Sequence, residues 1–240
     1  IALSVMWAAN AGLGLTAQFA EPFMIAQNDF TSLPLPFALA TAAVALFWLR
    51  FRVPFAMALI AMGVFGLALL MGAIQAGTPG GIGDLFLLSA SGPFAWITLA
   101  VGVAVFAMAM VFDLSDPHRV TRRSAQGFWL HVVAAPALVN TIALSLLAKD
   151  SAGANLMLLG VLLFFAIVAI VIDRRSFLIA AIGYSVTLAG TVFSSDGAAM
   201  TILVLGLFLV ILGAFWSRIR AALLAPLSNV LPLDRLPPSH

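Results

Sequence analysis

Side chains able to move a proton, hold a cation or grip an anion are scarce here: 11 Lys and Arg, 9 Asp and Glu and 3 His among 240 residues. Several fall in or beside long apolar runs, where polar groups are costly and mark candidate function. Glu21, just before Pro22, is a carboxylate at the end of the first run. If that run is shifted by one turn, Glu21 becomes buried and able to carry a proton or hold a cation. Otherwise it is a solvated loop residue. His131 has a side chain that titrates near neutral pH, suited to a proton relay or a headgroup contact; the plainer reading is a neutral histidine bonded to a neighbouring helix. Asn140 follows Pro136 by one turn. Proline removes a backbone N–H and frees a carbonyl, so the pair makes a polar spot of the kind found in broken transport helices, or simply helix–helix glue. Asn10 and Tyr184 add polarity to two further runs. Glu21, Asn10, Asn140 and Tyr184 are thus the candidate substrate or proton site.

A second constellation is basic. Asp116-Pro117 reads as an N-cap followed by proline at the first helical position. A helix starting there places Arg119, Arg123, Gly127 and His131 four apart on one stripe. Like charges at that spacing repel, so an anion is expected against them. Lipid phosphate is one candidate; Asp113 and Asp173 are others. Arg119, Arg122, Arg123 and His131 form the candidate anionic-lipid site, the alternative being arginines that set topology without a ligand.

These residues must be positioned by membrane-spanning elements. The chain is 63% hydrophobic and 8% charged, with a mean hydropathy of +1.16. A soluble domain carries about 25% charged residues, which excludes a water-soluble globule. The sparse charge also excludes a nucleic-acid surface. With 0 cysteines there is no disulfide framework and no thiolate chemistry. A ruler of about 20 apolar residues per span gives eight candidate helices, at 1–20, 33–49, 53–74, 94–112, 128–148, 154–172, 176–193 and 198–216. The expected fold is an all-α polytopic membrane helix bundle over 1–216. A cytoplasmic tail over 217–240, amphipathic and proline-containing, lies along the inner surface.

Eight spans place all ten arginines on one side and Lys149 on the other. The positive-inside rule then puts both termini in the cytoplasm. The first run lacks a basic flank or cleavage site, arguing against a cleaved signal peptide. A chain opening on isoleucine is expected to be preceded by a further segment. The link from Gln75 to Pro93 reads as a glycine-rich turn followed by a short interfacial or re-entrant helix. Superposing Arg52 on Arg174 aligns Phe55 with Phe177, which suggests a 4+4 internal repeat, although short hairpins between apolar helices look alike without one.

Asp113, Asp116, Arg119, Thr121, Arg122, Arg123 and Ser124, then Phe128 to His131 and Ala134 to Pro136, form a pattern. It resembles a family of uncharacterised bacterial multi-pass membrane proteins with D-x-x-D-x-x-R-x-T-R-R-S followed by F-W-L-H. The resemblance covers about a tenth of the chain. It implies a bacterial cytoplasmic membrane and carries no activity.

Catalytic motifs are weak. Gly81-Ile82-Gly83-Asp84 and Pro136-Ala137-Leu138 resemble elements of presenilin-like aspartyl proteases. That chemistry needs two carboxylates sharing a proton, and no second aspartate falls in a neighbouring span. Ser89-Ala90-Ser91-Gly92 lacks the first glycine of a rhomboid element. Lys149 is at a span end, unsuited to retinal, and His131 has no intramembrane partner for haem. The expectation is a non-enzyme without cofactor or metal, most simply a small-solute or ion transporter. The alternative is a structural or accessory subunit binding membrane lipids, as a homo-oligomer or within a larger complex, with no nucleic acid.

Overall fold

The computed structural model describes residues 30–80, 82–88, 92–149, 151–174, 207, 210–211 and 213–227. All regular structure among them is helical. Five helices are long and apolar enough to cross a membrane: α1 Pro34–Phe51, α2 Ala56–Ala76, α3 Phe94–Leu114, α4 Arg122–Leu147 and α5 Ala152–Val171. They correspond to the second through sixth expected spans. The expected spans at 1–20 and 176–193, most of 198–216, and with them the test of a repeat, lie outside the described residues. A short helix, α6 Trp216–Leu224, opens the tail and buries Trp216, Arg220 and Leu224 at four-residue spacing.

Two boundaries differ from expectation, and both have a physical reason. Helix α3 runs to Leu114 rather than stopping at the apolar limit, because Asp113 is buried and paired. Helix α4 begins at Arg122, not at Pro117. Residues 116–119 instead form a turn in which the Arg119 amide donates to the Asp116 carbonyl at 3.0 Å. Arg119 itself has φ 55°, outside any helix. The true N-cap is Thr121, whose hydroxyl oxygen accepts the Arg123 N–H at 3.2 Å. Asp116 acts one step back. Its carboxylate accepts the Thr121 hydroxyl at 2.7 Å and the Thr121 and Val120 amides at 2.9 and 3.2 Å.

Helix α4 is the hub, packing on α2, α3 and α5. Small side chains make this feasible, since Ala134, Ala135 and Ala143 are wholly buried and let backbones approach in a medium that gives no hydrophobic drive. Gly102 of α3 approaches that helix closely: a Cβ there would lie 3.1 Å from the Ala137 Cβ and 3.2 Å from Leu138. One apolar cluster joins α2, α3 and α4 around Met57, Val105 and Leu130. A second joins α4, α5 and α6 around Val139, Leu158, Phe165 and Trp216. Helix α1 leans on α2, where Gly63 and Gly66 accept Thr41 and Phe37.

The link after α2 contains a 3-10 turn, Ile82–Leu85, followed by residues tied to α4. The Leu88 amide donates to the Ser145 hydroxyl at 2.8 Å. That hydroxyl in turn donates to the Thr141 carbonyl at 2.6 Å, with the Phe86 carbonyl at 3.2 Å. The expected short helix in this link is therefore one 3-10 turn folded onto the bundle.

Gly102→Leu is expected to destabilise the bundle by about 1–3 kcal/mol through overpacking. Gly160→Leu, at a glycine with nothing among the described residues within 4 Å, should be neutral. Unfolding in mixed micelles measures both.

Candidate functional site

The functional side chains concentrate at the end of the bundle where α3 and α5 finish and α4 and α6 start. Two arrangements meet there, one closed and one open.

The closed arrangement centres on Asp113. Arg174, just past α5, approaches it two-pronged: Nε donates to Oδ2 at 3.0 Å and Nη2 pairs with Oδ1. The same Nη2 also donates to the Ser124 carbonyl at 2.8 Å, with the Ser124 hydroxyl at 3.3 Å. His131 of α4 reaches Oδ2 through Nε2 at 2.9 Å. A carboxylate only accepts, so that nitrogen carries the hydrogen. The His131 ring lies edge-on to Phe106, with centroids 5.4 Å apart. All three side chains are buried. Gly127 makes the approach feasible, because a Cβ there would collide with the Asp113 carboxylate.

A second ring of polar contacts surrounds this core. Arg119 pairs with Asp173 at 2.8 Å and donates to the Ile172 and Asp173 carbonyls at 3.2 and 2.8 Å. The Trp216 indole N–H donates to Asp173 at 2.6 Å. Arg220 donates to the Ile170 and Val171 carbonyls at 3.1 and 3.3 Å. Helix α5 thus ends with its last carbonyls satisfied by two guanidinium groups, which also suit the negative end of the helix dipole. Outside the spans, burial opposes the charge on Asp116. The hydrogen bonds from Thr121, Val120 and Ser124 outweigh it and hold the carboxyl below its ordinary range.

The open arrangement is a cleft of about 680 Å³ lined by Arg52, Arg122, Arg123, Ser115, Thr121 and Gln126, with Val111 and Phe112 as its apolar wall. Arg52 sits in a left-handed cap after α1, and its guanidinium stacks 4.6 Å over the Trp48 ring. Among the described residues Arg122 reaches only the Phe51 carbonyl, at 3.5 Å. Gln126 is 4% exposed, yet its amide makes no hydrogen bond to the described residues. No carboxylate lines the cleft among the described residues. Asp84, Asp113, Asp116 and Asp173 all engage other partners.

The four residues of the expected anionic-lipid site are therefore divided. Arg119 and His131 face internal aspartates, whereas Arg122 and Arg123 open into the cleft with Arg52. Sequence reasoning read Arg52 as a topology residue and passed over Ser115 and Gln126; the signal in reach was Gln126, a polar residue within the first turns of α4. Of the expected substrate site, Glu21, Asn10 and Tyr184 lie outside the described residues. Asn140 is half-buried on α4, one turn beyond Pro136, which the helix accommodates without interruption. Asp84 accepts the Gly80 amide at 2.7 Å in the 3-10 turn of the α2–α3 link. Among the described residues no cluster of His, Cys, Asp or Glu has the makings of a metal site.

No family model, curated protein or solved structure matches this chain. The resemblance to a bacterial membrane family thus rests on the residues between Asp113 and Pro136 alone. The chain is a multi-pass membrane protein by the length and hydropathy of its five helices.

Asp113→Asn strands a buried guanidinium and is expected to cost about 3–5 kcal/mol. Asp113→Leu with Arg174→Leu removes both charges and should cost less than the two single changes added together, as a double-mutant cycle in mixed micelles would read. Asp116 has a lowered folded pKa, so its stabilisation is present above the ordinary carboxylate range and fades as pH falls through the lowered value. The gap in melting temperature between wild type and Asp116→Ala should stay open at neutral pH and close on acidification.

Proposed function

We propose that this protein is a lipid-engaging membrane component whose basic cleft takes the phosphate of an anionic lipid headgroup, rather than an enzyme. The observation that carries this reading is the cleft itself: Arg52, Arg122 and Arg123 converge on one concavity with no carboxylate lining it among the described residues. Guanidinium forks match phosphate oxygens two at a time. The cleft also lies at the ends of membrane-crossing helices, the level at which lipid phosphates sit. The Val111 and Phe112 wall suits the glycerol and upper chain of a bound lipid, and the Gln126 amide supplies a neutral hydrogen-bonding group.

Between the two classes left open by the sequence, transport and an accessory lipid-binding role, the cleft favours the second. The positive-inside reading supports a cytoplasmic side for this face, where anionic lipids give basic groups something to meet.

The test is titration of the protein, in zwitterionic nanodiscs, with phosphatidylglycerol. Wild type should bind saturably. Replacing Arg52, Arg122 and Arg123 together by glutamine should weaken binding about a hundredfold, at about 1 kcal/mol for each charge near the surface. Arg218→Gln, whose guanidinium lies over Phe215, should leave affinity unchanged. Equal affinity of the triple variant and wild type would reject the reading.

A further inference from the structure

The donors that the basic cleft has to spare decide which kind of phosphate fits it. Two of its polar side chains are already committed. The Ser115 hydroxyl donates to the Phe112 carbonyl at 2.7 Å, and the Thr121 hydroxyl donates to Asp116 at 2.7 Å. Neither has a hydrogen left for an anion. The side-chain donors that remain are the guanidinium groups of Arg52, Arg122 and Arg123 and the amide of Gln126.

Gln126 marks the cleft as a built site. It lines the cleft, is 4% exposed, and its amide makes no hydrogen bond to the described residues. That amide is not sealed in the way the Trp48 indole N–H and the Thr98 hydroxyl are. It stands four residues after Arg122 on α4, so the two share a helix face, with Gln126 one turn farther along. A buried amide without a partner is costly, and a ligand oxygen that reaches it removes the cost.

Phosphates differ in what they bring to these four donor groups. A phosphodiester has two free oxygens and a single negative charge. A phosphomonoester has three strong acceptor oxygens and a charge of about −1.5 to −2 at neutral pH. Three cations with no carboxylate beside them among the described residues are better balanced by the second. We propose, building on the anionic-lipid reading of this cleft, that it selects a terminal phosphomonoester over a phosphodiester, with Gln126 donating to one of the three free oxygens. A lipid of that kind carries no headgroup alcohol beyond its phosphate, so the phosphate can advance past the arginines to the amide. Phosphatidate has this group, and so do soluble glycerol and sugar phosphates.

The experiment titrates the full chain, in zwitterionic nanodiscs, with phosphatidate and with phosphatidylmethanol, which differ by one methyl cap on the phosphate. At pH 8 phosphatidate should bind about tenfold tighter, the worth of one further charge facing the arginines. No side chain lining the cleft titrates between pH 5 and 8; Asp116 and His118, in the adjoining turn, do not line it. The preference should therefore narrow at pH 5, where phosphatidate loses its second charge, and should narrow equally in His118→Asn. Gln126→Met should weaken phosphatidate about fivefold, and phosphatidylmethanol less, with no fall in melting temperature. Displacement by glycerol 3-phosphate would assign the phosphomonoester to a soluble source, and its failure to displace would assign it to the lipid. Equal affinity for the two lipids at pH 8, or an undiminished preference in Gln126→Met, would overturn the proposal. The triple Arg52, Arg122 and Arg123 variant separates the two levels: if it weakens both lipids equally bound by wild type, only the selection falls. If it weakens neither, the anionic-lipid reading falls with it.

Discussion

A carboxylate buried at the end of a membrane helix must be met by positive charge and hydrogen-bond donors, and Asp113 imposes that condition on three separate elements. Its own helix, α3, must continue past the apolar limit to carry it. Helix α4 must present His131 and leave Gly127 without a side chain. The chain after α5 must bring Arg174 back to close the pair. None of these requirements is local. Each ties a different part of the sequence to one carboxylate, so the register of α3 against α4 and the exit of α5 are specified together. Apolar packing alone would leave them loosely specified in lipid, where neighbouring chains are as apolar as the helices.

The same economy governs the helix ends. An α-helix leaves four carbonyls unpaired at its C-terminus, and at the mouth of a bilayer these need donors. In α5 the donors are long basic side chains, Arg119 and Arg220, that reach carbonyls between Ile170 and Asp173. At the start of α4 the donors and acceptors are reversed, and Thr121 backed by Asp116 caps the amides. Much of the basic content that topology alone would explain is thus engaged in holding the bundle together. This is why Arg119 and His131, which share a stripe with Arg123 in a simple helical projection, end against aspartates of the chain itself.

Helix positions were legible because they depend on length and hydropathy, which the bilayer sets. The second through sixth spans appear within a few residues of expectation at most ends. Two ends were not legible, for one reason. Polarity was taken as the mark of a boundary, yet Asp113 belongs to α3 because its partners lie far away in sequence, 18 and 61 residues on. Conversely, Asp116-Pro117 carries the signature of a helix start, but Asp116 serves the next cap instead. A local pattern names a capping residue and does not fix which turn it caps. The cleft was half legible: Arg122 and Arg123 were singled out, while Arg52 comes from the α1–α2 link and joins them only through the antiparallel return of α2 and α3.

What singles out the cleft is subtraction. The described carboxylates are each engaged elsewhere: Asp84 by a backbone amide, Asp116 by Thr121, Asp113 by Arg174 and His131, Asp173 by Arg119 and Trp216. Arg119, Arg174 and Arg220 are engaged in turn by carboxylates and carbonyls. Arg52, Arg122 and Arg123 have no carboxylate partner among the described residues and line one cleft together. Nothing in helix packing demands that three cations share that space, and a topology signal would work as well with the side chains splayed into water. Convergence of like charge is stable when an anion completes it, and at the depth of a helix end in a bilayer the abundant anion is phosphate.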